Sequence, residues 1–343
     1  MGGRPKVVRV MGVFAVCALF FMGFGVLASP AIIPAPPKLA AEGYLLIDAT
    51  TAASLVEFNA DQRLPPASLT KIMTSYVAAK EIERGTITLD DQVAVSIKAW
   101  RMEGSRMFIQ EGTKVRLEDM LRGIIVQSGN DASVALAEHV SGSEDAFADL
   151  MNQYAQQLGM RDTHFVNATG LPDENHYTTA SDLSRLTVAL INQFPEHYKI
   201  YSEKHFTYSD IKQPNRNKLL MRDSSVDGVK TGHTNAAGYC LIASAVRDDM
   251  RLLSVVMGAS SEEGRAAESQ KLLTYGFRYF ETAHLYRADE ALRQVRVWGG
   301  QHSTVKLGLT ADVVMTIPKG VRNQLQAEIH IKNEIQAPIE KGD

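Results

Sequence analysis

Three short groups of residues carry the chemistry that this chain can do. Ser68 and Lys71 stand three apart in Pro65-Pro66-Ala67-Ser68-Leu69-Thr70-Lys71-Ile72-Met73. Three-residue spacing on a helix makes a hydroxyl and an amine neighbours, and the positive end of a helix favours developing negative charge. That pair suits an activated nucleophile, with the amine as its base. Ser128-Gly129-Asn130 offers a second hydroxyl and an amide, and Lys230-Thr231-Gly232 offers a second amine beside a glycine that lets a ligand approach the backbone. Each group also has an ordinary reading: a capping serine with a surface lysine, a turn exposed between helices, and a strand-end lysine before a loop. Ser-x-x-Lys alone is weak, since the chain repeats it at Ser209/Lys212 and Ser303/Lys306. Only the first opens an amphipathic series, Leu69, Ile72, Met73, Tyr76 and Val77, after two prolines that end what precedes them.

The elements that must position these groups follow from periodicity. Residues 44–48 and 55–59 flank a turn and predict a hairpin, the Ser68 helix follows, and 92–96 is a short strand. Leu117 to Ile125, Phe147 to Tyr154 and Leu183 to Ile191 form three helical stripes. Strands return at 225–232, at 239–246 and at 252–258, and a helix carrying Ala266, Ser269, Leu272, Leu273, Gly276 and Phe280 closes the set. Strands at both ends of a helical block predict an α/β lobe with an all-helical lobe, and a site in the cleft between them. After Glu281 short alternating strands at 295–298, 305–307, 313–317 and 325–331 predict a small all-β domain.

Composition narrows the class. The 343 residues are 45% hydrophobic with a formal net charge of -3, which gives no electrostatic argument for a nucleic-acid partner. Arg4, Lys6 and Arg9 precede an uncharged run from Val10 to Leu27, then Ala28-Ser29-Pro30; this is the pattern of a secretory signal peptide, residues 1–28. Residues 29–42, rich in Pro and Ala, read as a linker, 43–281 as the catalytic domain and 282–343 as the β domain. With Cys17 inside the signal, Cys240 is left alone in an apolar run and reads as a buried structural thiol. No zinc-binding spacing occurs, so neither metal nor cofactor is expected.

Taken in order, the three groups match the Ser-x-x-Lys, Ser-x-Asn and Lys-Thr-Gly motifs of penicillin-binding proteins and class A β-lactamases. From about Gly43 onward the chain resembles the low-molecular-mass penicillin-binding proteins of type 5 and 6, the D-alanyl-D-alanine carboxypeptidases. The resemblance extends through residues 127–132, 215–217, 226–234, 237–239 and 264–269. It implies a β-lactamase/transpeptidase-like α/β fold, an antiparallel sheet flanked by helices. It implies Ser68 as nucleophile, Lys71 as base with a pKa lowered by burial and by Lys230, and Ser128 with Lys230 as the route for the leaving proton. Asn130 holds the substrate amide, the Ser68 and His233 backbone N–H groups form an oxyanion hole, Thr231 and Arg265 bind the terminal carboxylate, and Gly232 is a further substrate-binding residue. The implied partners are peptidoglycan pentapeptide and β-lactams, in the periplasm at the outer face of the cytoplasmic membrane. The family's C-terminal amphipathic membrane anchor has no counterpart in this chain, and the β domain reads as incomplete. Residues 161–171 contain none of the glutamates that a β-lactamase uses for deacylation, which disfavours β-lactamase activity. The same motifs also fit a D,D-endopeptidase of peptidoglycan cross-links, or a module that binds peptidoglycan without catalysis.

Overall fold

The computed structural model describes residues 33–288, 290–328, 330 and 335–339. The proposed signal peptide lies outside them. Residues 33–42 form no helix or strand; Ile33, Leu39 and Ala41 pack against the core under the last long helix, and the Tyr275 hydroxyl donates to Pro34 O (3.0 Å).

In chain order, β1 (Gly43–Asp48) and β2 (Ser54–Phe58) form the expected hairpin, and α1 (Lys71–Glu83) follows a 3-10 turn over Ala67–Thr70. A helical lobe comes next: β3 (Gln92–Ala94), α2 (Ile97–Trp100), β4 (Lys114–Arg116), α3 (Leu117–Arg122), α4 (Asn130–Ser141), α5 (Glu144–Gln157) and α6 (Ala180–Gln193). Then come α7 (Pro195–Tyr198), the hairpin β5 (His205–Tyr208) and β6 (Ile211–Pro214), and α8 (Leu219–Arg222). The chain returns through β7 (Val226–Thr234), β8 (Gly238–Arg247) and β9 (Met250–Ala259) to α9 (Glu262–Tyr279). The sheet order is β2-β1-β9-β8-β7, all antiparallel, so strands from both ends of the domain close around the helical lobe.

The apolar runs of the central strands have two faces to fill. On β9, Leu253, Val255 and Met257 face the core shared with the helical lobe, while Leu252 and Val256 face the core under α9. This is the alternation of a pleated strand covered on both sides. Helix α9 lies close enough to the sheet that a Cβ on Gly276 would sit 2.5 Å from Leu252 Cδ1.

Several elements differ from the periodicity. Helix α4 was not visible as a stripe because Ala132 to Ala137 are all buried; a helix covered all round shows no polar face. Phe280 does not extend α9 but begins a strand. Residues 325–328, expected in a strand, form none, and parts of that expected strand (329 and 331) lie outside the described residues.

The C-terminal region contains β10 (Phe280–Tyr286), β11 (Arg293–Trp298), β12 (Thr304–Leu307), β13 (Val313–Pro318) and β14 (Ile335–Gln336). β10 pairs with β13, and β11 with β12 and β14. A fully buried carboxylate joins this region to the first hairpin. Asp48 Oδ2 accepts from Thr282 Oγ1 (2.6 Å) and Thr316 Oγ1 (2.8 Å), and Oδ1 accepts from Thr50 N–H (2.9 Å). Among the described residues no helix is long and apolar enough to cross a membrane.

Candidate active site

Ser68 sits inside the 3-10 turn, and no side chain caps either that turn or α1. The capping explanation for this serine is therefore excluded. The turn is tightly formed: Ala67 has φ 47, a conformation that a residue with a side chain rarely adopts and that is concentrated at functional sites. Lys71 is 1% exposed, so the surface-lysine explanation is excluded too.

The Lys71 amine contacts three oxygens. Nζ lies 3.1 Å from Ser68 Oγ, 2.8 Å from Asn130 Oδ1 and 2.6 Å from Thr169 O. The last two are carbonyl oxygens and can only accept. As an ammonium Lys71 donates to all three oxygens; as a neutral amine, with two N–H bonds, it can donate to Asn130 and Thr169 and offer its lone pair to the Ser68 hydroxyl. Burial pulls the Lys71 pKa down to about 7, helped by the charge of Arg216. Arg216, exposed at the cleft mouth, is a cation to which the sequence assigned no role; the expected coupling between Lys71 and Lys230 is also present, and it shows on Lys230. Lys230 is itself pulled well below the usual lysine range, first by burial and then by Lys71.

The second group is not the exposed turn that its composition suggested. Ser128 and Asn130 are 2% and 5% exposed. A π-helical turn over Gly123–Gln127 carries the chain into Ser128, which has φ 69 and presents its hydroxyl 3.0 Å from Lys230 Nζ. Asn130 opens α4; its N–H donates to Ser105 O (2.7 Å) and its Nδ2 to Glu103 O (2.6 Å). Buried Asp131 gathers the N–H groups of Met107, Phe108 and Ile109. The loop over residues 103–109 is thereby folded onto the Ser-Gly-Asn turn and buries it.

The third group lies on β7, as expected. Lys230 Nζ also donates to Thr231 O (3.0 Å), and Thr231 is buried. Arg265, from the first turn of α9, is 6% exposed; its Nη1 donates to Gly232 O (3.1 Å) and its guanidinium lies over Tyr239. His233 is exposed and stacks on the same Tyr239 ring, centroids 4.0 Å apart. One cleft of about 560 Å³ is lined by Ser68, Ser128, Asn130, Thr231, Gly232, His233 and Arg265, with Lys71 and Lys230 beneath it. The other Ser-x-x-Lys matches lie elsewhere, at the β5–β6 turn and at β12. Cys240 is buried and burial raises its thiol to about 11, an inert group as expected.

Sequence reasoning missed three contributors. Arg216 belonged to a resembling segment without a role. Thr169 supplies its carbonyl, which no side-chain motif reports. Asn167 builds the loop that aims it, accepting from Thr169 N–H (3.1 Å), Thr169 Oγ1 (3.0 Å) and Gly170 N–H (2.7 Å). The Asn-x-x-Gly spacing was the available signal.

Comparison with known proteins agrees with this geometry. Residues 31–261 match the family model described as D-alanyl-D-alanine carboxypeptidase, and residues 280–343 match the C-terminal domain of penicillin-binding protein 5. The chain is 46% identical over 313 residues to D-alanyl-D-alanine carboxypeptidase DacA of Haemophilus influenzae, covering 90% of this chain and 80% of the relative. Crystal structures of penicillin-binding protein 5 from Haemophilus influenzae superpose with a TM-score of 0.85 at 46% identity, over 90% of this chain and 92% of theirs. Penicillin-binding protein D2 of Listeria monocytogenes in its ampicillin-bound form gives 0.66 at 30% identity, over 71% and 100%. The fold class expected from the sequence is the one found. The chain belongs to the D-alanyl-D-alanine carboxypeptidase family and is a serine carboxypeptidase and penicillin-binding protein.

Proposed function

We propose that the chain removes the terminal D-alanine from peptidoglycan pentapeptide stems through an acyl-enzyme on Ser68. The observation that carries the assignment is the buried Lys71 amine, 3.1 Å from the Ser68 hydroxyl and with a pKa lowered to about 7, so that its neutral form is accessible. Lys71 takes the hydroxyl proton and Oγ attacks the carbonyl between the two D-alanines. The oxyanion is received by the backbone N–H groups of Ser68 and His233. Asn130 holds the substrate amide, and Ser128 with Lys230 relays a proton to the departing amine. Water then hydrolyses the ester. Arg265, with Thr231, binds the terminal carboxylate, and Arg216 adds positive charge at the mouth. Export to the periplasm rests on the Val10–Leu27 pattern, and attachment to the outer face of the cytoplasmic membrane rests on family resemblance alone.

The test compares D-alanine release from a peptide ending in D-Ala-D-Ala with release of the amide from its C-terminally amidated form. An unmet buried cation costs about 3–5 kcal/mol, so kcat/KM for the amide falls at least about 100-fold. Equal rates would overturn the carboxylate assignment.

The family acts on peptidoglycan and is bound by β-lactams. Residues 161–171 contain no glutamate of the kind that a β-lactamase uses for deacylation. Incubation with fluorescent penicillin therefore leaves a labelled protein that persists through gel electrophoresis, with slow loss of label. Rapid multi-turnover hydrolysis of penicillin is the contrary result.

A further inference from the structure

The loop whose Thr169 carbonyl accepts from Lys71 is anchored by a carboxylate at the start of α5. Glu144 Oε1 accepts from Ala168 N–H (3.2 Å), and Oε2 pairs with Lys98 Nζ (2.8 Å) on α2. Resting on the assignment of Lys71 as base, we propose that Glu144 is a positioning residue for it. Glu144 holds the loop that contacts Lys71 and, through the charge it shares with Lys98, sets the pH at which the base becomes competent.

The connection is continuous. Lys71 Nζ donates to Thr169 O (2.6 Å), and the residue before, Ala168, is fixed at both of its backbone polar groups. Its carbonyl accepts from Thr74 Oγ1 (2.7 Å) on α1, and its N–H goes to Glu144. Asn152, about two turns further along α5, holds the same loop through the N–H and the carbonyl of Phe165 (2.8 Å each). Helix α5 therefore carries the loop, and Ala168 and Glu144 are both buried, so an N–H left without its acceptor there would be costly.

The electrostatics point the same way. Among the described residues no carboxylate hydrogen-bonds Lys71, so beyond burial its proton affinity is set by charges further off. Asp131 on α4 and Glu144 raise it, and Arg216 lowers it. Lys230 on β7 and His176 before α6 also face Lys71, and burial holds both toward their neutral forms. Asp131 is occupied by backbone N–H groups. Glu144 differs, because its partner reaches solvent: the Lys98 side chain is 53% exposed and that of Glu144 10%. Glu138 on α4 and Asp145 on α5 are the other ionisable groups acting on the pair. A surface lysine thus reaches a buried base through one carboxylate.

The test is the ratio of kcat/KM at pH 6 to that at pH 9 for D-alanine release. Glu144→Gln keeps an acceptor for Ala168 N–H and removes the charge. Losing an anion favours the neutral amine, so the acid limb moves down by about half a pH unit and the ratio rises about threefold. Lys98→Met removes the compensating cation, the limb moves up and the ratio falls. A Glu144 that only supported the fold would lower kcat/KM at both pH values and leave the ratio where it was. An unmoved or lowered ratio in Glu144→Gln, or an unmoved or raised one in Lys98→Met, overturns the proposal. Should thermal unfolding show that Glu144→Gln does not fold, Lys98→Met, altered at an exposed side chain, decides by itself. Failure of the base assignment looks different: the wild-type profile then has no acid limb at all, and the proposal falls with it. The rate of penicillin acylation of Ser68 across the same pH range reads the same limb without relying on the peptide.

Discussion

Ser68→Ala and Lys71→Ala each lower kcat/KM for D-alanine release by about four orders of magnitude, and the double variant is no worse than either single one. A nucleophile and its base act as one unit, so removing the second after the first has nothing left to remove. Lys71→Arg is as inactive as Lys71→Ala, because a guanidinium stays protonated and has no lone pair to offer. The pH profile carries the same signature. As the proposed base Lys71 acts in its neutral form, and its pKa is lowered to about 7. Above that value most of the enzyme is competent. Below it, kcat/KM falls about tenfold per pH unit as the lone pair is protonated. A wild-type profile flat from pH 5 to 9 would contradict the base assignment. Loss of fold is a separate matter, checked by thermal unfolding. Truncating Lys71 leaves Asn130 Oδ1 and Thr169 O short of a donor, a cost of about 1–3 kcal/mol, but it also removes a buried amine.

Gly170→Ala disables the site from the opposite wall. Gly170 has φ +84, and a Cβ there would stand 1.8 Å from Ala67 O and 2.4 Å from Ala67 C. Backbone atoms cannot yield as a flexible side chain does, so either the Thr169–Leu171 loop or the turn carrying Ser68 must move. A displacement near 1 Å at a catalytic group costs about 100-fold, and both D-alanine release and penicillin acylation fall by about that factor. Gly159→Ala is the control. It also has a positive φ, +73, but nothing lies within 4 Å of its Cβ. It bears only the conformational cost of about 1–2 kcal/mol and keeps wild-type kcat/KM. If both variants lose activity equally, backbone strain is responsible and the clash is not. If Gly170→Ala keeps full activity, the close packing of the two walls has no catalytic importance.

The α-helical stripes and the β1–β2 and β8–β9 hairpins were legible because each buries one face or one apolar run, and such burial leaves a period in the sequence. The three chemical groups were legible because their residue types and order are specific. Helix α4 left no period because both its faces are covered, although it delivers Asn130. The Ser-Gly-Asn turn reads as polar, and only the loop bound by Asp131 makes it buried.

For Ser68 and Lys71, sequence determined that a hydroxyl and an amine would be neighbours at a helix start. It did not determine whether the amine would be charged. That depended on burial by elements far away in the chain, and then on a cation at Arg216. Proton affinity is set by solvation and by every charge nearby, not by neighbours in sequence. Tertiary structure alone therefore decided that the Lys71 pKa is lowered to about 7.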